Sequence, residues 1–242
     1  QAVIDWAARY ADAADRAASE TEDALTRAAL ERVARACRRV PAQPARTLFE
    51  GLQAIALIHL ALHLEGHGLS VSIGLPDRVL APFIDEETDL ECMTLDAAAF
   101  MLKIAANSVF GRGSKTQAIT VGGRDAEGRD RCNALTRAFL DAAGLIRVGD
   151  PHVFLRWHRG LNPNIKRRAL RMLTDGASMP LLIHDAQTAQ GFVAAGGDEG
   201  DAWEYCVIGC NELGIPGRSA ESATATNGTV QYLELLNEML LT

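Results

Sequence analysis

A regular alternation of short apolar runs with amphipathic segments constrains the fold of the second half of this chain. Apolar runs at residues 119–121, 153–156 and 181–183 have the length and composition of buried strands. Between them, residues 133–143 and 163–173 carry apolar side chains at helical spacing. Strands that are joined through helices need crossover connections, which make them parallel. The sequence therefore predicts an α/β fold with these three runs as neighbouring parallel strands.

The first part of the chain has a different pattern. Residues 2–38 carry apolar side chains at helical spacing and predict two helices, with Thr21 as the N-cap of the second. Two prolines end this stretch, and residues 47–63 predict a third helix. Residues 71–74 alternate in polarity and predict a short strand. A helical segment thus precedes the βα units.

Charge and cysteine usage limit the classes of partner. The 242 residues carry a net charge of −7, and the largest basic cluster is residues 166–168. Because nucleic-acid-binding proteins present a basic face, we expect a small-molecule or protein partner and no nucleic acid. The five cysteines include no Cys-x-x-Cys pair, which favours a reducing compartment and predicts a cytoplasmic protein. No run approaches the roughly 18 apolar residues of a membrane span, so no membrane association is expected.

A pair of histidines is one candidate site. His59 and His63 are four residues apart in the third predicted helix, with Glu65 and His67 close behind. Four-spaced histidines on a helix bind zinc in His-Glu-x-x-His enzymes, but the glutamate between the histidines is missing here. Packing and polar capping at a helix end is the favoured interpretation, and no metal site is predicted.

A glycine-rich stretch is a second candidate. Residues 111–116 resemble the end of a phosphate-binding loop of the form Gly-x₄-Gly-Lys-Ser/Thr. The spacing differs from that motif, and a strand follows where the motif needs a helix. A flexible loop is therefore the favoured interpretation of this stretch.

The third candidate is the turn at residues 209–212. Cys210 and Glu212 stand two residues apart after an apolar run, so they can face one cavity. A cysteine supplies a nucleophile or a one-electron centre and a glutamate shuttles protons, although a lone buried cysteine is more often a small hydrophobe. His184 and Asp185 follow the third predicted strand directly and are candidate substrate-binding residues at its carboxyl end, where we expect the turn. A structural, capping carboxylate is the alternative for Asp185.

An ordered series of motifs resembles the glycyl radical enzymes of the pyruvate formate-lyase-like superfamily. The matching stretches are residues 9–11, 36–42, 47–53, 68–74, 119–125, 133–136, 151–156, 205–212 and 233–237. The resemblance implies an α/β fold that is a portion of a glycyl-radical-enzyme-type barrel with a long helical N-terminal segment. It implies one partial domain over residues 1–242, mainly helical in 1–65 and built of βα barrel units in 66–242, with the cysteine loop at 209–212.

The resemblance also implies a chemistry. In the family, a glycyl radical installed by a separate radical-SAM activating enzyme passes its spin to a cysteine, and the thiyl radical abstracts hydrogen from a small organic substrate. By motif position, Cys210 would be the thiyl residue and Glu212 the acid/base, with no cofactor bound to the chain. The resemblance places a Cys-Cys pair at this point in pyruvate formate-lyase proper. Gly209 stands in front of Cys210 here, which disfavours pyruvate formate-lyase chemistry. The Cys-x-Glu pattern is similar to that of eliminases (dehydratases and lyases) and of arylacetate decarboxylases, and both alternatives stay open.

The family's radical motif, close to Arg-Val-x-Gly-Tyr, is absent from the sequence. We therefore expect an internal portion of a longer anaerobic enzyme that is inactive alone. The radical glycine would lie in the remainder of the enzyme or on a second chain, and exposed sheet edges favour a homo-oligomer. The alternative is a truncated, non-catalytic relative that binds a small molecule or a partner subunit.

Overall fold

The computed structural model describes residues 1–65, 70–85, 87–108 and 116–218 as an α/β structure. The helices are α1 (Ala2–Glu20), α2 (Ala24–Arg39), α3 (Leu48–Glu65), α4 (Pro76–Val79), α5 (Leu90–Asn107), α6 (Ala134–Ile146), α7 (Pro163–Thr174) and α8 (Asp185–Ala194), with 3₁₀ turns at Ala81–Phe83 and Asp201–Glu204. The strands are β1 (Ala118–Gly122), β2 (His152–Trp157), β3 (Leu181–His184), β4 (Cys206–Ile208) and β5 (Glu212–Gly214).

The centre of the structure is a parallel sheet in the order β1-β2-β3. Ala118 pairs with His152 and Phe154 pairs with Leu181, and α6 and α7 form the two crossovers. The predicted arrangement of neighbouring parallel strands is therefore confirmed. β1 is buried along its whole length, including the polar Thr120, whereas Leu181 and Leu182 on β3 are exposed.

The predicted strand at residues 71–74 is reduced to one parallel bridge between Gly74 and Ile119. Two backbone hydrogen bonds, of 2.8 and 2.9 Å, flank this bridge. The amide of Ala118 donates to Oγ of Ser72, at 3.0 Å, and not to a backbone carbonyl. A side-chain hydroxyl thus takes the place of a backbone acceptor, and this position lies at the amino end of β1.

α1 and α2 confirm the two helices predicted for residues 2–38. The second helix begins after Asp23, whose carboxylate accepts the amide of Thr26 at 2.7 Å, so the prediction of Thr21 as its N-cap is wrong. Thr21 instead follows the last turn of α1, where its amide donates to the helix. The two helices pack mainly through small side chains, Ala7, Ala11, Ala14, Ala34 and Cys37.

α3 is an apolar helix of 18 residues, although the sequence predicts no apolar run of membrane-spanning length. With a mean hydropathy of 1.3, it is long and apolar enough to cross a membrane by length and composition. Half of it is nevertheless buried within the protein, where Leu52 and Ala56 join the main core beside Phe100. A buried core helix meets the same criteria, and these contacts are those of a core helix.

Candidate functional site

β4 and β5 form an antiparallel hairpin whose turn, residues 209–211, carries the exposed thiol of Cys210. Gly209 has a φ of 60°, in the left-handed region. A β-carbon on Gly209 would lie 3.0 Å from Oε2 of Glu212 and 3.4 Å from Cβ of Ser70. The backbone conformation, and to a lesser degree the close approach, therefore favour glycine immediately before the cysteine.

The carboxylate of Glu212 folds back under this turn. Its Oε2 accepts the amide of Cys210 at 3.0 Å and the amide of Asn211 at 3.2 Å. The thiol of Cys210 donates weakly to Oγ1 of Thr116 over 3.9 Å. The carboxylate of Glu212, the first residue of β5, thus contacts the backbone of the exposed turn that carries the thiol. Their catalytic roles stay predictions.

Two serine hydroxyls connect this turn to the sheet. Oγ of Ser72 accepts the amide of Gly209 at 2.9 Å, in addition to the amide of Ala118. Oγ of Ser70 lies 3.1 Å from Oγ of Ser72 and donates to the carbonyl oxygen of Thr116. Two hydroxyls therefore lie beside the turn, in addition to the carboxylate of Glu212 beneath it.

The turn lies at the amino end of β1. The amide of Val207 donates to Oγ1 of Thr120 in the middle of β1, at 2.9 Å, and Cys210 lies beside Thr116, which precedes the strand. β4 therefore runs in the direction opposite to β1. The prediction that the turn lies near the carboxyl end of β3 is wrong, because that end is filled by the segment that leads into β4.

Asp185 lies at that carboxyl end, where it forms a buried ion pair. Its Oδ1 accepts Nε of Arg156 at 2.8 Å, its Oδ2 accepts the amide of Arg124 at 2.8 Å, and the Asp185 and Arg156 side chains are 0% exposed. Both carboxylate oxygens are thus engaged inside the protein. The geometry favours the structural alternative for Asp185 over substrate binding.

Arg156 is a residue that the sequence reasoning missed. It also donates to the carbonyl oxygens of Trp203 and Tyr205, at 2.9 and 3.2 Å, and Arg78 donates to the Trp203 carbonyl at 3.2 Å. Arginine holds the chain just before β4 in this way. The available signal was one arginine inside the apolar run of the second predicted strand, where a charge needs a buried partner.

His184 is exposed and serves as the N-cap of α8. Its Nδ1 accepts the amide of Gln187 at 3.2 Å. It lines an open groove of about 490 Å³ together with Gln187, Thr188, Gly191, Phe192, Ala195 and Leu213. Leu213 belongs to the hairpin, but Cys210 and Glu212 are not among the described residues that line this groove. The structure therefore does not bring His184 together with the cysteine.

The histidine pair is part of a hydrogen-bonded cluster. Nε2 of His63 lies 3.2 Å from Nε2 of His59, which also contacts Oε1 of Gln117 at 3.0 Å. Across the four described segments of the chain, no group of three metal-binding side chains occurs. These contacts favour the packing interpretation. His67 and residues 111–115 of the glycine-rich stretch lie outside the described residues, as does the matching stretch at 233–237.

The two cysteines of the hairpin have different surroundings. Cys206 on β4 is buried, and burial raises the pKa of its thiol to about 11. Cys210, four residues later, is exposed. Since reagents reach the exposed thiol first, the hairpin contains its own buried control for chemical labelling.

Comparisons with known proteins agree with the motif series. The family model described as pyruvate formate lyase-like matches residues 1–240. Isethionate sulfite-lyase of Oleidesulfovibrio alaskensis is 33% identical, over 99% of this chain and 30% of that protein. (2S)-3-Sulfopropanediol dehydratase of Klebsiella oxytoca is 26% identical, over 90% of this chain and 28% of that protein. A solved glycyl radical enzyme from Archaeoglobus fulgidus aligns with a TM-score of 0.82 and 28% identity, over 93% of this chain and 31% of that one. The chain spans less than a third of the length of these relatives.

Proposed function

Because the chain belongs to the pyruvate formate lyase-like family, we propose that it is the thiyl-bearing portion of a glycyl radical dehydratase or lyase. Cys210 is the residue that forms the thiyl radical, and Glu212 is the acid/base. The observation that carries this proposal is the hairpin turn, where an exposed thiol and a carboxylate held 3.0 Å from the cysteine amide share one loop. We also propose that the parallel sheet β1-β2-β3 is part of the α/β barrel of the complete enzyme.

Hydrogen abstraction is the step assigned to Cys210. The thiyl takes a hydrogen atom from a substrate carbon that bears a hydroxyl group, so an S–H bond forms as the C–H bond breaks. A hydrogen atom carries no net charge. The step therefore needs close approach more than it needs charged neighbours, which suits the neutral hydroxyls of Ser70, Ser72 and Thr116 around the turn.

Proton transfer is the step assigned to Glu212. Its carboxylate accepts the proton of the substrate hydroxyl, and the resulting ketyl-type radical expels a leaving group, with its electron pair, from the neighbouring carbon. The proton goes from Glu212 to the leaving group. The product radical then takes a hydrogen atom from the thiol of Cys210, which regenerates the thiyl and leaves a carbonyl product.

The relatives indicate the class of substrate. Their names describe a sulfite-lyase and a dehydratase, which favours elimination over decarboxylation for this chain. We infer a small hydroxylated compound whose leaving group, water or sulfite, stands on the carbon next to the hydroxyl carbon.

The same proposal sets the partners. The spin would come from a glycyl radical outside this chain, in the remainder of the enzyme or on a second chain. A radical-SAM activating enzyme would install it under anaerobic conditions in the cytoplasm. A homo-oligomer fits the exposed leucines on β3, Leu181 and Leu182.

The proposal is tested in the whole, anaerobically activated enzyme that contains this chain. Cys210→Ala is expected to abolish turnover while electron paramagnetic resonance still detects the glycyl radical. Glu212→Gln is expected to lower turnover by roughly 10² to 10⁴, the usual share of general acid–base catalysis. Cys92→Ala removes another exposed thiol, on α5, and is the matched control with unchanged turnover. Appreciable turnover by Cys210→Ala would overturn the assignment.

A further inference from the structure

We propose that Ser72 is a positioning residue for the thiol of Cys210, fixing the cysteine turn against the amino end of β1. The structural part of this inference stands by itself, and its catalytic consequence rests on the proposed function. Ser72 lies 137 residues before Gly209 in the sequence, yet its hydroxyl contacts the first residue of the turn. No pattern near the cysteine indicates this partner.

The hydrogen bonds of Ser72 determine where its proton points. A serine hydroxyl has two acceptor lone pairs and one proton. Oγ accepts the amide of Gly209 at 2.9 Å and the amide of Ala118 at 3.0 Å, which uses both lone pairs. Its own proton is therefore donated to Oγ of Ser70, 3.1 Å away. Ser70 in turn donates its proton to the carbonyl oxygen of Thr116.

This chain of hydroxyls reaches the thiol from both sides. At one end it holds Gly209, the residue directly before Cys210. At the other end it holds the backbone of Thr116, whose Oγ1 lies 3.9 Å from Sγ of Cys210. Ser72 is the member of this chain that binds both the turn and β1, while the bond from the Val207 amide to Thr120 holds β4 farther along the same strand.

Glu212 has a different and complementary role in the turn. Its carboxylate binds the amides of Cys210 and Asn211, which fixes the internal shape of the turn. Ser72 binds across to β1 and fixes where that turn is placed. Loss of the Ser72 hydroxyl would leave the amide of the buried Gly209 without this acceptor and would allow a correctly shaped turn to move.

The first experiment measures the cysteine itself, independently of any activity. In the whole enzyme, iodoacetamide labelling followed by peptide mass spectrometry gives the alkylation rate of Cys210 relative to that of exposed Cys92. Ser72→Ala is expected to change this ratio by up to about fivefold, the factor that corresponds to one net hydrogen bond, because the exposed thiol leaves its place beside Oγ1 of Thr116. Ser72→Thr, which keeps a hydroxyl, is expected to stay close to wild type. Ser108→Ala, at the end of α5, is the control serine variant.

The second experiment measures the catalytic consequence. In the activated enzyme, Ser72→Ala is expected to lower kcat by up to about 10²-fold with KM nearly unchanged, because small misplacement of a reacting group has effects of this size. Ser72→Thr is expected to restore most of kcat. A general loss of folding would lower the amount of active enzyme and alter the labelling of Cys92 as well as that of Cys210. It would therefore not change the labelling ratio of Cys210 to Cys92 selectively.

The outcomes are distinguishable. If Ser72→Ala leaves both the Cys210 labelling ratio and kcat at wild-type values, the positioning role is wrong. If that variant does not fold, amide hydrogen exchange of the wild type decides, since Gly209 must be protected comparably to Val207, whose amide binds Thr120. An unprotected Gly209 amide would overturn the inference. Turnover by Cys210→Ala would instead overturn the proposed function and leave the labelling and exchange results valid.

Discussion

The two ends of the parallel sheet are built from different chemistry. At the carboxyl end, the ion pair of Arg156 and Asp185 is fully buried and binds the segment that leads into β4. At the amino end, the hydroxyls of Ser72 and Thr116 and the carboxylate of Glu212 lie around the turn that carries an exposed thiol, that of Cys210. The carboxyl end is thus filled by a buried ion pair, whereas the amino end carries an exposed thiol.

The difference shows that strand polarity alone does not locate a site. Ligands of open parallel sheets usually bind beyond the carboxyl ends of the strands. Here arginine side chains and residues 201–205 occupy that position, and β4 carries the chain back to the opposite end. The candidate thiol therefore lies at the amino end of β1, opposite to the end at which ligands of parallel sheets usually bind.

The largest effect is expected from breaking the charged end. Arg156→Met leaves the carboxylate of Asp185 buried without its partner and frees two backbone carbonyls. The free energy of unfolding is expected to fall by about 3–5 kcal/mol, measured by urea denaturation. At the amino end, Thr116→Val removes one hydroxyl and is expected to lower it by about 1 kcal/mol or less.

Two further variants separate charge from packing. Arg156→Met combined with Asp185→Leu removes both charges and is expected to recover part of the loss, since no unpaired carboxylate stays buried. Arg32→Ala breaks the partly exposed ion pair with Asp96 and should lower stability by less than about 1 kcal/mol. Equal losses for Arg156→Met and Thr116→Val would contradict the contrast between the two ends.

A pH dependence is the second expected effect and also arises at the carboxyl end. The carboxylate of Asp77 is fully buried, where it accepts the amide of Gly122 at 2.7 Å and the hydroxyl of Thr136 at 2.6 Å. Burial raises the pKa of Asp77 above its ordinary value, although these hydrogen bonds and nearby arginines oppose the rise. The folded state thus holds this proton more tightly than the unfolded state does.

The sign of the effect follows from that difference in proton affinity. The contribution of Asp77 to stability is fully present below the unfolded pKa of about 4 and is lost as pH rises through the higher folded pKa. Asp77→Asn is expected to flatten this part of the stability profile, measured by urea denaturation from pH 4 upwards. Thr116→Val should run parallel to wild type. A profile for Asp77→Asn with the wild-type slope would show that the carboxylate does not titrate in this range.

The smallest effect is expected at His184, which shares the carboxyl end but is exposed. His184→Ala removes the imidazole that caps α8 and should lower the free energy of unfolding by roughly 0.5–1 kcal/mol. His184→Asn restores a capping acceptor and is expected to stay within a few tenths of a kcal/mol of wild type, as roughly seen among good caps. A loss as large as that of Arg156→Met would mean that position in the sheet, and not burial, sets the energy.

Local sequence patterns predicted α1, α2 and the central sheet well. They predicted poorly those segments whose hydrogen bonds go to residues far away in the chain. The segment at 71–74 alternates in polarity as a strand does, but only one β-bridge forms there. The hydroxyl of Ser72 accepts two backbone amides, those of Ala118 and Gly209, which lie far apart in the sequence. α8 begins directly after β3 and is only weakly amphipathic, so the spacing of its apolar residues does not predict a helix.

The sequence by itself determined the parallel order β1-β2-β3 and the closeness of Glu212 to the backbone of Cys210. Both are local: helices between strands require crossovers, and two residues in a tight turn are held together by the backbone. Only the tertiary structure decided which end of the sheet receives that turn and what Asp185 does. Those outcomes depend on hydrogen bonds between residues far apart in the chain, such as Arg156 with Tyr205 and Ser72 with Gly209, which a local pattern does not encode.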